Sequence, residues 1–233
     1  MLSRSVLKYT AVAAMLIDHV GMMFFETSSP AGFVMRVIGR LTAPVMCMLL
    51  ADGYVHTSSV RKYALRLLVF GVISQPFYAF AHGMSIFTAD FNMILTLFLS
   101  FVMLIVYDKA ENEILRLSAV GLCIAASYFC DWGITAPLWV LGFYIFRDRK
   151  EKQTAMFAIV SVVYIVSCVI SCIRNGQEWY SQLWQAGLLL SVPFIILYNG
   201  NGGRKTAFSK WFFYLFYPLH LFILELVNRF LSA

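Results

Sequence analysis

Hydrophobic runs separated by short clusters of charged and turn residues divide the chain into nine candidate helices. They lie at about 7–25, 32–51, 62–81, 91–107, 114–129, 133–146, 153–173, 181–198 and 211–230. Most approach the ~20 apolar residues that a bilayer crossing requires. Helices rather than strands follow, because a lipid-exposed segment must satisfy its backbone polar groups internally. The fifth and sixth are short and meet at Cys130-Asp131-Trp132-Gly133, a tight hairpin that need not span fully. The stretch Asn199–Thr206 lacks the spacing of a phosphate-binding loop and reads as a flexible connection. No internal repeat is visible, at solenoid periods or between halves. The expected architecture is all-α, a polytopic membrane bundle of about nine helices forming one domain over residues 1–233.

Composition supports the pattern. The chain is 61% hydrophobic and 13% charged, with mean hydropathy +0.76, against roughly 45–50% apolar and 25% charged for soluble domains. The net charge of +6 therefore reflects basic cytoplasmic loops, not nucleic-acid binding. With the N-terminus inside, 14 of the 18 Lys and Arg residues fall on the inner side, leaving Arg36, Arg40, Arg174 and Arg229 outside. Arg4 and Lys8 precede an apolar run as in a signal peptide, but Asp18-His19 interrupts that run, so it is read as the first span. The five cysteines form no Cys-x-x-Cys pair and suggest neither a disulfide framework nor a zinc site, and no metal is expected.

Ionisable residues inside apolar runs are costly and mark candidate chemistry. Asp18 and His19 sit in the first run; at 1.5 Å per residue His19 lies roughly 16 Å beyond Lys8, in the outer half. Arg36 and Arg40 fall in the outer half of the second run and share a face. Gln75, Asn92, Asp131 and His220 reach similar depth from four further segments. Each has an ordinary reading alone: Arg36 snorkelling, Asn92 or Asp131 capping a helix, His220 satisfied in the bundle, Glu225 and Arg229 paired structurally. A shared polar cavity accounts for Asp18, His19, Arg36, Arg40, Gln75 and His220 together.

Adjacent residues on a helix point about 100° apart, so Asp18 cannot hold the His19 ring; it is expected to pair with Arg36 or Arg40. Burial favours the neutral imidazole, the form that accepts a proton. A general base, two guanidinium groups for a developing anion, and a second histidine suit acyl transfer. A proton-coupled transporter would also use intramembrane Asp and His, but usually shows paired repeats.

The chain also resembles the TraX family of integral-membrane proteins, named for the enzyme that N-acetylates conjugative pilin. The resemblance rests on Met15-x-Ile17-Asp18-His19-x-Gly21, Arg36-x-x-Gly39-Arg40-x-x-Ala43-Pro44 and Asp52-Gly53-Tyr54-x-His56-Thr57. It continues through Lys62-Tyr63-x-x-Arg66-Leu67, Ser74-Gln75-Pro76-Phe77, Asn92-x-x-x-Thr96-Leu97, Asp131-Trp132-Gly133 and Tyr214-x-x-Tyr217-Pro218-x-His220-Leu221. Val45-Met46-Cys47 stands where aromatics are usual, and Asp52-Gly53 where Glu-Gly is commoner, which bears on the pocket's shape and so on the acceptor. The resemblance implies a bacterial inner-membrane enzyme moving acetyl from acetyl-CoA to an amine or hydroxyl of a peptide, glycan or lipid acceptor outside the cytoplasm. His19 would act as base or transient acetyl carrier, with Asp18, Arg36, Arg40 and His220 beside it. Gln75, Asn92, Asp131 and Tyr217 would serve binding, and Arg61, Lys62, Arg66, Arg204 or Lys205 would meet the nucleotide end of the donor. A catalytically silent member acting in envelope assembly is the remaining class.

Overall fold

A computed structural model describes residues 1–201 and 207–232, the side chains of 207–210 excepted. Among the described residues the secondary structure is helical: α1 (Arg4–Phe24), α2 (Pro30–Gly39), α3 (Thr42–His56), α4 (Val60–Ala81), α5 (Met93–Lys109), α6 (Glu113–Ala126), α7 (Thr135–Ile145), α8 (Lys150–Arg174), α9 (Ser191–Leu197) and α10 (Ala207–Ser232). Two 3₁₀ segments, Ser127–Phe129 and Leu183–Leu190, extend the passes of α6 and α9. Successive passes alternate between two ends of the bundle. The near end holds the start of α1, and the far end holds its finish.

Local chemistry sets the boundaries. Ser3, Ser29 and Ser59 accept from the amides of Val6, Gly32 and Lys62 at the starts of α1, α2 and α4, and Asn92 and Asn112 cap α5 and α6. Such caps satisfy amide donors that a helix start leaves unpaired. The expected helix 32–51 is instead broken at Arg40-Leu41. Pro44 has no amide hydrogen for the Arg40 carbonyl four residues back, so the ladder fails there and the helix bends.

Nine helical passes occur in the expected order, but among the described residues five are long and apolar enough to cross a membrane. These are Arg4–Phe24, Pro30–His56 (α2 with α3), Val60–Ala81, Lys150–Arg174 and Trp211–Ser232. By length and composition that is fewer than the about nine membrane helices expected, of which the short pair meeting at Cys130-Asp131-Trp132-Gly133 was not required to span fully. The reason is length: α5 has 17 residues, α6 14 and α7 11. The pass expected at 181–198 has only Leu183–Leu197 in helical conformation, half of it 3₁₀. There, a side chain on Gly187 would collide with the backbone of Val37. The close approach fixes the 3₁₀ segment against α2.

α7 is the buried centre, with Trp139, Val140 and Phe143 inside it. It packs on α3, α5 and α8, and Phe157 of α8 contacts both Trp139 (5.5 Å between ring centroids) and Phe143 (5.9 Å). α1 packs on α2, α3 and α10, while α4 packs on α5 and α10. The far ends of α1, α2, α4 and α10 therefore converge.

Candidate active site

Asp18 and His19 leave α1 in different directions, as the helical rotation requires. Asp18 faces the kinked α2–α3 pass: its Oδ1 accepts from Arg36 Nη1 at 2.8 Å and its Oδ2 from Arg40 Nη2 at 2.6 Å. Where the sequence left Arg36 or Arg40 as the partner, one carboxylate takes both guanidinium groups. Gly39 makes the approach possible, because a Cβ built there falls inside the Asp18 side chain. A Gly39→Ala variant must push α1 from α2, so it is expected to lose about 1–3 kcal/mol of stability, read as a lowered unfolding temperature.

Two tryptophans cover the other faces of the arginines. The Trp184 ring lies 4.3 Å from the Arg36 carbon Cζ and 4.6 Å from that of Arg40, and Trp132 lies 4.9 Å from Arg40. Stacked rings attract these cations in a dry setting. Trp132 pays for its position with a left-handed backbone (φ 65°), rare for a bulky residue. Arg40 Nε is buried and lacks a hydrogen-bond partner.

His19 turns toward α10. His220 Nε2 lies 3.1 Å from His19 Nδ1, with the rings 4.9 Å apart. The protons follow from the carbonyls, which can only accept. His19 Nδ1 bonds the Met15 carbonyl (2.9 Å) and His220 Nδ1 bonds the Phe216 carbonyl (2.8 Å), so both Nδ1 atoms carry hydrogen in the neutral rings. His19 Nδ1–H is shared between Met15 and the His220 Nε2 lone pair. That leaves His19 Nε2 as an open lone pair, with no hydrogen-bond partner among the described residues. The Phe216 ring stacks on His220 at 4.8 Å and holds it in place.

Asp131, in the turn before α7, joins this cluster electrostatically: burial pushes its carboxyl up to about 6, with Arg40 and His82 opposing. His82, which sequence reasoning passed over, ends α4 and donates Nδ1–H to the Tyr78 carbonyl at 2.8 Å. The available signal was position, since His82 closes an apolar run on the far side. Trp184 was missed as well; a lone aromatic in an apolar run carries no mark of function.

Gln75 and Asn92 are committed to each other. Asn92 Nδ2 donates to Gln75 Oε1 (2.7 Å) and the Gly71 carbonyl, its Oδ1 caps α5, and Gln75 Nε2 donates to the Asp90 carbonyl (2.9 Å). This bonded set ties α4 to α5 instead of opening into the cluster. Tyr217 is buried, its ring 5.8 Å from His220. Arg66 lies over the Tyr63 ring at the near end, while Arg61 is exposed. Arg204 and Lys205 lie outside the described residues. Glu225 and Arg229 form the expected structural pair, at 2.8 Å.

The site therefore contains an imidazole whose tautomer is set by its neighbours, two guanidinium groups on one carboxylate and a second histidine. The model of the family described as "TraX protein" matches residues 3–228. A probable fimbrial assembly protein, FimC of serogroup H1 from Dichelobacter nodosus, is 29% identical over 97% of this chain and 96% of its own length. An uncharacterized protein of Rickettsia prowazekii (strain Madrid E), RP591, is 27% identical over 89% of this chain and 84% of its own. No solved structure matches the chain. From Ser3 to Asn228, and so across every element of the cluster, the chain belongs to the TraX family.

Proposed function

We propose that this protein is an acyltransferase of the bacterial inner membrane, moving acetyl from acetyl-CoA to an amine or hydroxyl on the far side. All nine helical passes cross in this reading, with the near end cytoplasmic, the arrangement favoured by the basic residues of the inner loops. The observation that carries the proposal is the open Nε2 lone pair of His19, backed by His220, with Arg36 and Arg40 held by the preceding residue of α1, Asp18. The fimbrial name of one relative favours a pilin N-terminus as acceptor, with envelope glycans or lipids as the other acceptors of suitable chemistry.

His19 Nε2 takes the proton as the acceptor nitrogen or oxygen attacks the acetyl carbonyl carbon. The negative charge on the carbonyl oxygen is met by the guanidinium donors, including the unpartnered Arg40 Nε–H. The carbon–sulfur bond then breaks, and His19 returns the proton to the departing thiolate. His220 Nε2 accepts from His19 Nδ1–H throughout, supporting the imidazolium that forms between these steps.

The test uses the purified protein in lipid nanodiscs with acetyl-CoA and a peptide bearing a free N-terminal amine. Release of free thiol, together with an acetyl mass increment on the peptide, is expected. Proton flux in proteoliposomes with no thiol release and no binding of acetyl-CoA would establish transport instead.

A further inference from the structure

At the near end a cavity of about 390 Å³ opens between the last turn of α3, the end of α7, the first turn of α8 and residues 198–200. Asp52 anchors it. Its carboxylate takes the Arg4 guanidinium and the Tyr198 hydroxyl (2.7 Å), and His56 Nδ1 lies 3.2 Å away. With these partners Asp52 forms the frame of the cavity and offers little to a cation. The N-terminal residues brace the same frame: Leu2 N donates to the Leu197 carbonyl at 2.7 Å, and Asn199 N donates to the Leu2 carbonyl at 3.1 Å.

The remaining charge on the wall is positive and poorly matched. Lys150 Nζ reaches only neutral acceptors, the Ile195 carbonyl (3.2 Å) and Gln153 Oε1 (3.5 Å), and lies 5.2 Å from the Tyr198 ring centre. Arg147 lies over the Tyr144 ring and has Asp148 at 3.7 Å, a carboxylate 86% exposed and therefore well screened. Phe143, Met48 and Val55 supply apolar wall beside these cations. Two cations next to an apolar surface suit a phosphate ester carrying a flat or apolar body.

Position narrows the choice. Asp52 is twelve residues along the α2–α3 pass from Arg40, about 18 Å at helical rise. An extended phosphopantetheine arm bridges that separation. We infer that the cavity seats the phosphorylated nucleotide head of the thioester donor, with Lys150 and Arg147 on its phosphates. The arm then follows α3 toward His19. This rests on the acyl-transfer reading, and it places the donor beside α7 and α8 instead of on the Arg61 and Arg66 face of α4.

The experiment measures binding of CoA and of adenosine 3′,5′-bisphosphate to the full chain in phosphatidylcholine nanodiscs, together with acetyl-transfer kinetics. Lys150→Gln and Arg147→Gln are each expected to weaken both ligands by about tenfold or more and to raise the donor KM. kcat at saturating donor should hold, and Lys150→Arg should recover binding if the Gln variant folds poorly. Unchanged binding and KM in both Gln variants, or a loss seen only in Arg61→Gln or Arg66→Gln, would overturn the cavity assignment while transfer itself stands. Binding of anionic phosphatidylglycerol in place of either nucleotide ligand would assign the cavity to a lipid headgroup and also overturn it. A wild-type protein that neither binds CoA nor transfers acetyl removes the reading beneath the inference.

Discussion

A His19→Gln protein is expected to transfer acetyl about 10²–10⁴-fold more slowly than wild type, the range of a positioned general base. The loss should fall on kcat, because in the donor assignment proposed above the nucleotide head sits at Asp52, about 18 Å from Arg40 by helical rise, and the variant leaves that end untouched. Glutamine keeps a hydrogen-bonding side chain of similar length but provides no basic nitrogen at the Nε2 position. The helix should persist, since the Met15 carbonyl bonded by His19 Nδ1 also lies within the regular ladder of α1. Single-turnover kinetics at equal expression make the measurement. Incubation with labelled acetyl-CoA and no acceptor separates the two roles of His19. Label retained on wild-type protein and absent from the variant marks a transient acetyl carrier; no retained label in either marks a base acting directly. Transfer near the wild-type rate in His19→Gln would remove His19 from the chemistry.

The parts of the site that were legible in the sequence are those where charge contradicts its surroundings. Asp18 and His19 interrupt an apolar run, and Arg36 and Arg40 sit four residues apart in the next, so their pairing follows from charge and helical rotation alone. Their bonding in the structure, two guanidinium groups on one carboxylate, agrees with that reading. Less visible were features decided by long-range packing. The 3₁₀ geometry of Leu183–Leu190 depends on Gly187 meeting the backbone of Val37, and an apolar run does not reveal its own pitch. Gln75 and Asn92 looked available because a sequence shows donors and acceptors but not their mutual satisfaction. Asp52 was read as a motif residue, yet its partners Arg4 and Tyr198 stand 48 and 146 residues away. Nine passes were legible from alternation, whereas their lengths depend on which helices the bundle buries. α7, with 11 residues and a largely buried surface, presents little of itself to lipid.

Removing the Asp18 carboxylate should be the most damaging change to stability. In Asp18→Asn one carboxylate oxygen becomes an amide that cannot accept, so Arg36 or Arg40 is left without its partner in a buried site. Breaking such a pair from one side costs about 3–5 kcal/mol, because the orphaned charge remains. A marked fall in unfolding temperature is therefore expected in nanodiscs, before any assay of transfer. Asp18→Glu should not rescue it, although the charge returns. The extra methylene has no room where Gly39 lies against the Asp18 side chain. The decisive comparison is the double variant Asp18→Asn with Arg36→Gln. If the damage comes from an uncompensated charge, removing one guanidinium should restore part of the stability, leaving the Asn oxygen for Arg40. The two changes would then be less than additive, as expected of groups in one network. Full additivity, or a wild-type unfolding temperature in Asp18→Asn, would mean that the stacked rings of Trp132 and Trp184 hold the arginines without the carboxylate. Asp18 would then lose its place as the anchor of the oxyanion donors.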